Sequence, residues 1–571
     1  MLFYCYSEFG DATIESRLGD ADYSYYFVLK AYLPLLEQLG ETRVIDSLDE
    51  TFVAACKRET EGGNECILLA FAPPHKIPFG MPCPVVPVFA SEYSSIPNRE
   101  FINDPKDSWT YSLEQFGQAL THSSYAKRVV LEDMPADFPI EAVPAPLWDT
   151  CAELRATAQS RAPVKQTSIT LGTTVIDNRD FTITSESIAP ATQVARPLGG
   201  TKAEACNDID IEFGKNNPDV WMVGFYAPEG WGAWSKTSSP WIMLPSVVSG
   251  HVRLSVELNG HGNNIRRDIE MHIGDQCVVI QPQAEMAKYE FELDVGQPSN
   301  FITFRGLDIS AKRTIVDPRT IGIGLAKISI ENLAHIEETA TAPLAVNVVE
   351  HNLELSGVVY TTILNPRDGR KNWEDILTAF CLAFREQEDV TLILKMTYKD
   401  MSGYLEDIFA LFCQLHPFKC RIVVVHGYIA SQEYRSLISA TSYIVNASRS
   451  EGQCLPLMEY MSCGVPAIAP DNTAMADYIN PDNAFVVDSS PEPHYWPHDP
   501  QQVFTTLWYR PSWESLFNAY KDSYEVAVND PDRYQKMSRC AWESQYEFCS
   551  VDKLKPRLES LLKRIKQGAP L

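Results

Sequence analysis

The chain has 571 residues, 45% hydrophobic and 22% charged, and a formal net charge of −27. That length exceeds a single hydrophobic core and predicts several domains, while the composition excludes a disordered chain. The negative field excludes a general nucleic-acid binder, although a few local cations and backbone amides are enough for a small phosphorylated ligand. The fourteen cysteines are irregularly spaced, and Cys381 and Cys413 stand inside apolar runs as buried small hydrophobes. MLFYCYSEFG has no basic leader, and no apolar run reaches the roughly 18 residues of a membrane span. The expectation is a reducing, cytoplasmic compartment.

Residues 1–150 alternate strands and helices: MLFYCYS, CILLAFAP and PVVPVF as strands, YYFVLKAYLPLLEQLG and WTYSLEQFGQAL as helices. Such alternation predicts a parallel sheet covered by helices. Residues 151–345 begin with a polar stretch and then change period. In HVRLSVELNG, Val252, Leu254, Val256 and Leu258 share one face, with a turn expected at Asn259–Gly260, and KYEFELDV repeats the pattern. The prediction there is an antiparallel β-sandwich. From 346 to 571 the strand–helix alternation returns, through GVVYTTIL, KNWEDILTAFCLAFREQ, VTLILKM, YLEDIFALFCQLH, RIVVVHG and SYIVNAS. The predicted fold class is α/β, two doubly wound Rossmann-like domains with an intervening antiparallel β-sandwich. Ligands of such sheets bind beyond the carboxyl ends of the strands.

The informative stretch is SYIVNASRSEGQCLPLMEYMSCGVPAIAP. A strand is predicted to end near Asn446 and a helix to begin around Pro456, where a missing N–H costs nothing. Gly464 closes that helix in the left-handed position. The intervening loop then brings unpaired N–H groups and a positive dipole end to one point, a seat for a diphosphate. Glu451 and Glu459 flank it, each able to accept two hydroxyl hydrogens from a sugar or ribose. A capped α/β unit with solvent-facing acids is the competing reading of the spacing alone.

The stretch resembles the signature of glycosyltransferase family four, retaining enzymes of the GT-B fold. The likeness rests on the paired glutamates, the intervening Leu455–Pro456 and the following CGVPAIAP. It implies that Glu451 contacts donor-sugar hydroxyls and Glu459 the ribose diol, with Ser450, Gly452, Gln453, Cys454 and Leu455 around the sugar and phosphate oxygens. VVYTTILNPRDGRKNWEDILTAF resembles the family's first strand, basic loop and helix of the C-terminal domain. There Lys371, followed by Asn372 where a glycine is common, would hold the diphosphate together with Arg367 or Arg370. Lys395 ends the next strand as a further candidate for the cleft, against a surface lysine. Tyr428 in HGYIASQEY corresponds to the loop beside the nucleobase, either stacking or packing. The family has a histidine near the donor sugar; here Glu92 stands about there, as in some bacterial members with an acid before an IP turn. It is a candidate acceptor-side base, against a plain rim acid. His122 and Ser123 match a helix start on the acceptor side, with a packing role the stronger reading for the histidine.

The likeness covers residues 346–490 well and 1–150 weakly. It implies a nucleotide-diphosphate sugar as donor substrate, no cofactor, no metal, and transfer with retention to a glycan or lipid-linked oligosaccharide in bacterial surface-polysaccharide assembly. His494 and His498 in HYWPH have no acid ligands beside them in sequence. Trp221, Trp231, Trp234 and Trp241 cluster in the middle region, as sandwich core or as a carbohydrate-stacking surface. In the tail, Val551, Leu554, Leu558, Leu561 and Ile565 form a stripe flanked by basic residues. It would either dock on the fold or touch an anionic membrane. Rival readings are a sugar-nucleotide epimerase or phosphorylase of the same fold, and a non-catalytic glycan-binding protein.

Overall fold

The computed structural model describes residues 1–98, 104–156, 162–191, 208–215, 220–309, 319–333, 351–399, 401–497, 499 and 501–566. The boundary expected at 345/346 and His498 lie outside these residues. The chain divides into two compact units that do not follow chain order. The first comprises Met1–Thr167, Glu354–Lys399 and Ala430–Leu571, and the second Ser168–Leu353 with Asp400–Ile429.

The first unit opens with β1 (Leu2–Ser7), α1 (Tyr23–Glu37), β2 (Glu41–Ile45), α2 (Glu50–Glu61), β3 (Cys66–Phe71) and β4 (Val85–Phe89). It continues with α3 (Trp109–Phe116), β5 (Ala119–Thr121), α4 (Ser124–Asp133), β6 (Ile140–Ala142) and a short α5 (Ala152–Ala156). The sheet order is β2-β1-β3-β4-β5-β6, all parallel. Every residue of β3 and β4 is buried, as a parallel strand covered on both faces requires. WTYSLEQFGQAL is not one helix. Gly117 adopts φ 71° and ends α3, and the apolar Ala119–Thr121 pairs into the sheet as β5.

Next come β7 (Val164–Leu171), β8 (Thr174–Asp177), β9 (Phe181–Ile183), β10 (Ile188–Pro190), β11 (Ile209–Glu212), β12 (Trp221–Val223) and β13 (Ala233–Trp234). The long β14 (Trp241–Gly260), β15 (Ile269–Ile273), β16 (Gln276–Ile280), β17 (Ala287–Arg305) and β18 (Ile323–Asn332) complete the second unit's main sheet, ordered β11-β18-β14-β17-β15-β16. The pairs are antiparallel, and Val252, Leu254, Val256 and Leu258 all enter one core with alternate residues of their neighbours. The turn expected at Asn259–Gly260 lies further on. Both residues still pair with β18, and the strand gives way only at the following 3-10 turn, Gly262–Asn264.

The remaining elements are β19 (His351–Leu364), α6 (Trp373–Ala383), β20 (Val390–Met396), α7 (Ser402–Leu415), β21 (Arg421–His426), α8 (Ser431–Ala440), β22 (Tyr443–Val445), α9 (Leu455–Ser462), β23 (Ala467–Ala469) and β24 (Ala484–Val486). A hairpin of β25 (Ser489–Tyr495) and β26 (Thr505–Pro511) precedes α10 (Trp513–Asn529), α11 (Pro531–Cys549) and α12 (Val551–Lys566). Within the first unit, β24-β23-β22-β19-β20 form a second parallel sheet. Helix α7 and β21 belong to the second unit, where Phe409 packs on Phe181 and Trp241, and β21 pairs antiparallel with β8.

Helix α12 settles where the tail's apolar stripe goes. Leu554, Leu558 and Leu561 are fully buried in the core they share with the first sheet, and Arg557 donates to the Ala142 carbonyl at 3.3 Å. At about 2 kcal/mol for each buried leucine, docking accounts for the stripe. Among the described residues no helix is long and apolar enough to cross one.

Candidate functional site

The site is assembled by three loops at the carboxyl ends of parallel strands in the first unit. β22 ends at Val445, and residues 446–454 then lead into α9. That helix carries Pro456 in its first turn and, among the described residues, has no side-chain cap on its N-cap Cys454, so its positive end is open toward the loop. Gly464 takes φ 79° after its end. The loop is strained: Cys454 adopts φ 61° and the neighbouring Thr473 φ 48°. Asn372 adopts φ 53° in the basic loop. Asparagine tolerates left-handed backbone best among non-glycine residues, which is how Asn372 holds a position after Lys371 that would otherwise favour glycine. Backbone of this kind persists only where its surroundings hold it, and it concentrates at working sites.

Glu451 is the centre. Its side chain is buried, with Lys371 Nζ at 2.6 Å from Oε1 and an Arg370 guanidinium nitrogen at 3.2 Å from Oε2. Asn446 donates to Oε1 at 3.3 Å, and the Glu451 amide donates to Thr473 Oγ1 at 2.9 Å. Burial by itself would push the carboxyl up. The charges of Lys371 and Arg370 outweigh it and hold the group down at about 2, so it is an anion at any working pH.

Arg370 is the connector. It donates to the Ser450 carbonyl at 2.8 Å and pairs with Asp368 at 2.8 Å, with Glu451, and with Glu92 at 3.5 Å. Desolvation opposes its charge, but Asp368, Glu451 and Glu92 together keep it protonated. Glu92 follows β4 of the first sheet, so this guanidinium joins the two parallel sheets at the site. Gly452 explains how they come so close. A Cβ there would lie 2.6 Å from Ala90 Cβ and 3.6 Å from Glu92 Cγ, so only glycine fits unstrained. Ala90 is held in turn, its amide donating to the Tyr25 hydroxyl at 3.1 Å. Gln453 ties the sheets a second time, its Oε1 accepting from the Ala145 amide at 3.1 Å. Asp477 accepts from the Ser124 amide at 2.7 Å and makes a third tie.

Glu459 lies one turn into α9, half-buried, and accepts from the Tyr434 hydroxyl at 2.6 Å. Burial raises its carboxyl to about 7, against the lowering effect of Tyr434. The two glutamates therefore sit in opposite electrostatic states, one locked as an anion and one poised near neutrality.

The other sequence candidates divide. Ser450 is buried and reaches the cluster through its carbonyl, and Cys454 is buried at the start of α9 with its thiol pushed up to about 12 by burial. Leu455 opens the helix. Arg367 is exposed, bonded to the Tyr398 hydroxyl at 3.3 Å, so Arg370 is the arginine brought to Lys371. Lys395 is buried in β20 with its ammonium 3.4 Å from the Met396 carbonyl, and burial lowers it to about 7. Tyr428 belongs to the second unit and is exposed. His122 is fully buried, Nδ1 facing the Val143 carbonyl at 3.3 Å, and burial lowers it to about 4; it packs. His494 stacks on Trp508 with centroids 3.6 Å apart. Among the described residues, Glu270, His272 and Cys277 bring ligand atoms within 4.8 Å of one another on the β15–β16 hairpin, a mostly exposed trio in the second unit. Asn446, Thr473, Asp368 and Tyr434, which orient the two glutamates and Arg370, were not among the candidate site residues of the sequence. Asn446, at the predicted strand end, and Asp368, inside the basic loop, had a local signal.

The chain is similar over limited stretches to several solved structures. The pneumococcal O-GlcNAc transferase GtfA matches at 18% identity over 36% of this chain and 36% of its own, with a TM-score of 0.27. The Anabaena protein Alr3699/HepE matches at 13% identity over 36% and 48%, also with 0.27. Sucrose-phosphate synthase from Thermosynechococcus elongatus matches at 15% identity over 37% and 46%, again with 0.27. The chain thus covers less than half of each of these structures. No curated protein matches it. Residues 211–332 match a domain of unknown function, DUF7024. The segment that carries Arg370, Lys371, Glu451 and Glu459, residues 358–494, matches the family described as Glycosyl transferases group 1.

Proposed function

We propose that the chain is a retaining glycosyltransferase that moves a sugar from a nucleotide-diphosphate donor to a glycan or lipid-linked acceptor in surface-polysaccharide biosynthesis. The observation that carries the reading is the buried Lys371–Glu451–Arg370 cluster beside the uncapped start of α9, inside the group 1 match. Two cations beside the positive end of α9 suit a diphosphate, and they stabilise it further as its negative charge grows on departure. Glu451, fixed as an anion, accepts hydroxyl hydrogens of the donor sugar, and Glu459 those of the ribose. Gly452, Gln453, Cys454 and Leu455 line the path between them. Glu92, 3.5 Å from Arg370, takes the acceptor side in this reading, and the departing phosphate oxygen serves as base toward the acceptor hydroxyl. The reading assigns no cofactor, and no membrane contact to α12, whose apolar face is buried.

The test is a thermal-stabilisation titration with UDP, GDP, dTDP and their common sugar conjugates, with Glu459→Ala beside the wild type. Selective stabilisation by one nucleotide, lost in the variant, supports the transferase and identifies the donor base. Indifference to every nucleotide sinks it.

A further inference from the structure

The four clustered tryptophans have different fates. Trp221 and Trp241 are buried, and Trp241 packs against Phe181, Phe301 and Phe409. Trp231 is 38% exposed, yet it is not loosely held. It sits on a tight turn closed by reciprocal backbone bonds, Glu229 amide to Gly232 carbonyl at 2.7 Å and Gly232 amide to Glu229 carbonyl at 3.1 Å. Its indole N–H donates to Glu229 Oε2 at 3.0 Å, and the other carboxylate oxygen takes Arg319 at 2.8 Å. Its ring meets Trp234 edge-on with centroids 5.1 Å apart.

Gly324 beneath makes this arrangement possible. A Cβ there would come within 2.8 Å of Trp231 and 2.9 Å of Trp234, so the strand gives up a side chain to seat both rings. It would also lie 2.4 Å from Asn259 Oδ1, a buried acceptor with no hydrogen-bond partner among the described residues. A tryptophan serving only the core would be covered, as Trp221 and Trp241 are. Here a large ring is presented to solvent, locked by an ion pair, with polar groups at its rim.

We propose that Trp231, with Glu229 and Arg319, is a glycan-binding site of the second unit, separate from the transfer site, and that it takes an uncharged pyranose. The ring's C–H face stacks on the indole, while the carboxylate accepts and the guanidinium donates to its hydroxyls. A chain of net charge −27 repels an acidic polysaccharide, and the sugar meets the Glu229 carboxylate as well as the Arg319 guanidinium, so a neutral sugar is favoured. Because the indole is already oriented, little freedom is lost on binding.

The full chain would be run in native gels containing dextran, galactomannan or polygalacturonate. The expected result is retardation by a neutral polymer and none by polygalacturonate. Trp231→Ala weakens the retardation roughly tenfold or more and Trp231→Phe keeps part of it, as expected for a stacked aromatic. Glu451→Gln runs like the wild type, which separates this site from the transfer site. Circular dichroism checks that Trp231→Ala is folded, and Arg319→Ala gives a second reading of the rim. No retardation in any gel, retardation by polygalacturonate alone, equal retardation of wild type and Trp231→Ala, or loss in Glu451→Gln would each overturn the proposal.

Discussion

The two parallel sheets of the first unit have the same architecture and bring different things to the site. At the carboxyl ends of the second sheet stand two cations, a buried carboxylate, uncapped helix N–H groups and three residues in left-handed backbone. From the first sheet come Ala90, whose amide donates a hydrogen bond to the Tyr25 hydroxyl, and one acid, Glu92. Strand–helix alternation makes the frame in both. Charge and backbone strain, concentrated on one side, mark where the chemistry is held, and small residues on the other side mark what must come close to it.

The sharpest way to break this contrast is to compare cations with the acid across the site. Lys371→Ala and Arg370→Ala should each lower kcat by about 10²-fold or more, as loss of a group stabilising the departing charge does. Glu92→Gln should cost about tenfold, as expected of a charged hydrogen-bonding group that orients the acceptor while the phosphate oxygen takes the proton. Steady-state nucleotide release measures both, and a larger loss in Glu92→Gln than in Lys371→Ala would reverse the assignment of roles.

Close approach of the sheets is the next target. Gly452→Ala should destabilise the chain by about 1–3 kcal/mol through overpacking against Ala90. Ala90→Gly in the same chain should recover part of it in urea unfolding, because the colliding atom is then gone.

The opposite states of the glutamates give two pH signatures. Glu459, raised to about 7, becomes an acceptor for two hydroxyls only as it ionises, so donor affinity should rise with pH through about 7. Calorimetric titration should show this inflection vanish in Glu459→Gln. In Tyr434→Phe it should move upward, because the lost hydrogen bond lowers the group, with affinity at neutral pH reduced about fivefold. Glu451 is depressed from its ordinary 4.5 to about 2, so the stability it contributes is complete above 4.5 and is lost as pH falls through about 2. Lys371→Met should move the acid-unfolding midpoint to higher pH.

The smallest effect is expected at Arg367. It is exposed, so Arg367→Ala should change stability by less than about 0.5 kcal/mol and transfer by less than about twofold. A loss matching that of Arg370→Ala would show that the exposed arginine swings into the site on binding.

Local pattern carried much of this molecule. Periodicity located β1, β3, β4, β20 and α9, and the buried face of β14, because alternation and apolar runs are short-range signals. Glu451, Lys371 and Glu459 were legible because the loop, the helix start and the acids are contiguous or nearly so. Asn259–Gly260 was misread as a turn, since a cross-strand partner at Gly324 and Ile323 continues the ladder through it. WTYSLEQFGQAL was misread as one helix, since propensity does not register the sheet edge that claims Ala119–Thr121.

The sequence by itself determined the parallel-sheet frames, the loop that opens α9 and the spacing of the glutamate pair, all of which depend on residues within one strand–loop–helix unit. Only the tertiary structure decided between Arg367 and Arg370, brought Glu92 and Ala90 to Glu451 and Gly452, placed Tyr434 on Glu459 and buried the stripe of α12. Those outcomes join segments far apart in the chain, and burial, which sets the charge state of both glutamates, exists only once the segments are packed.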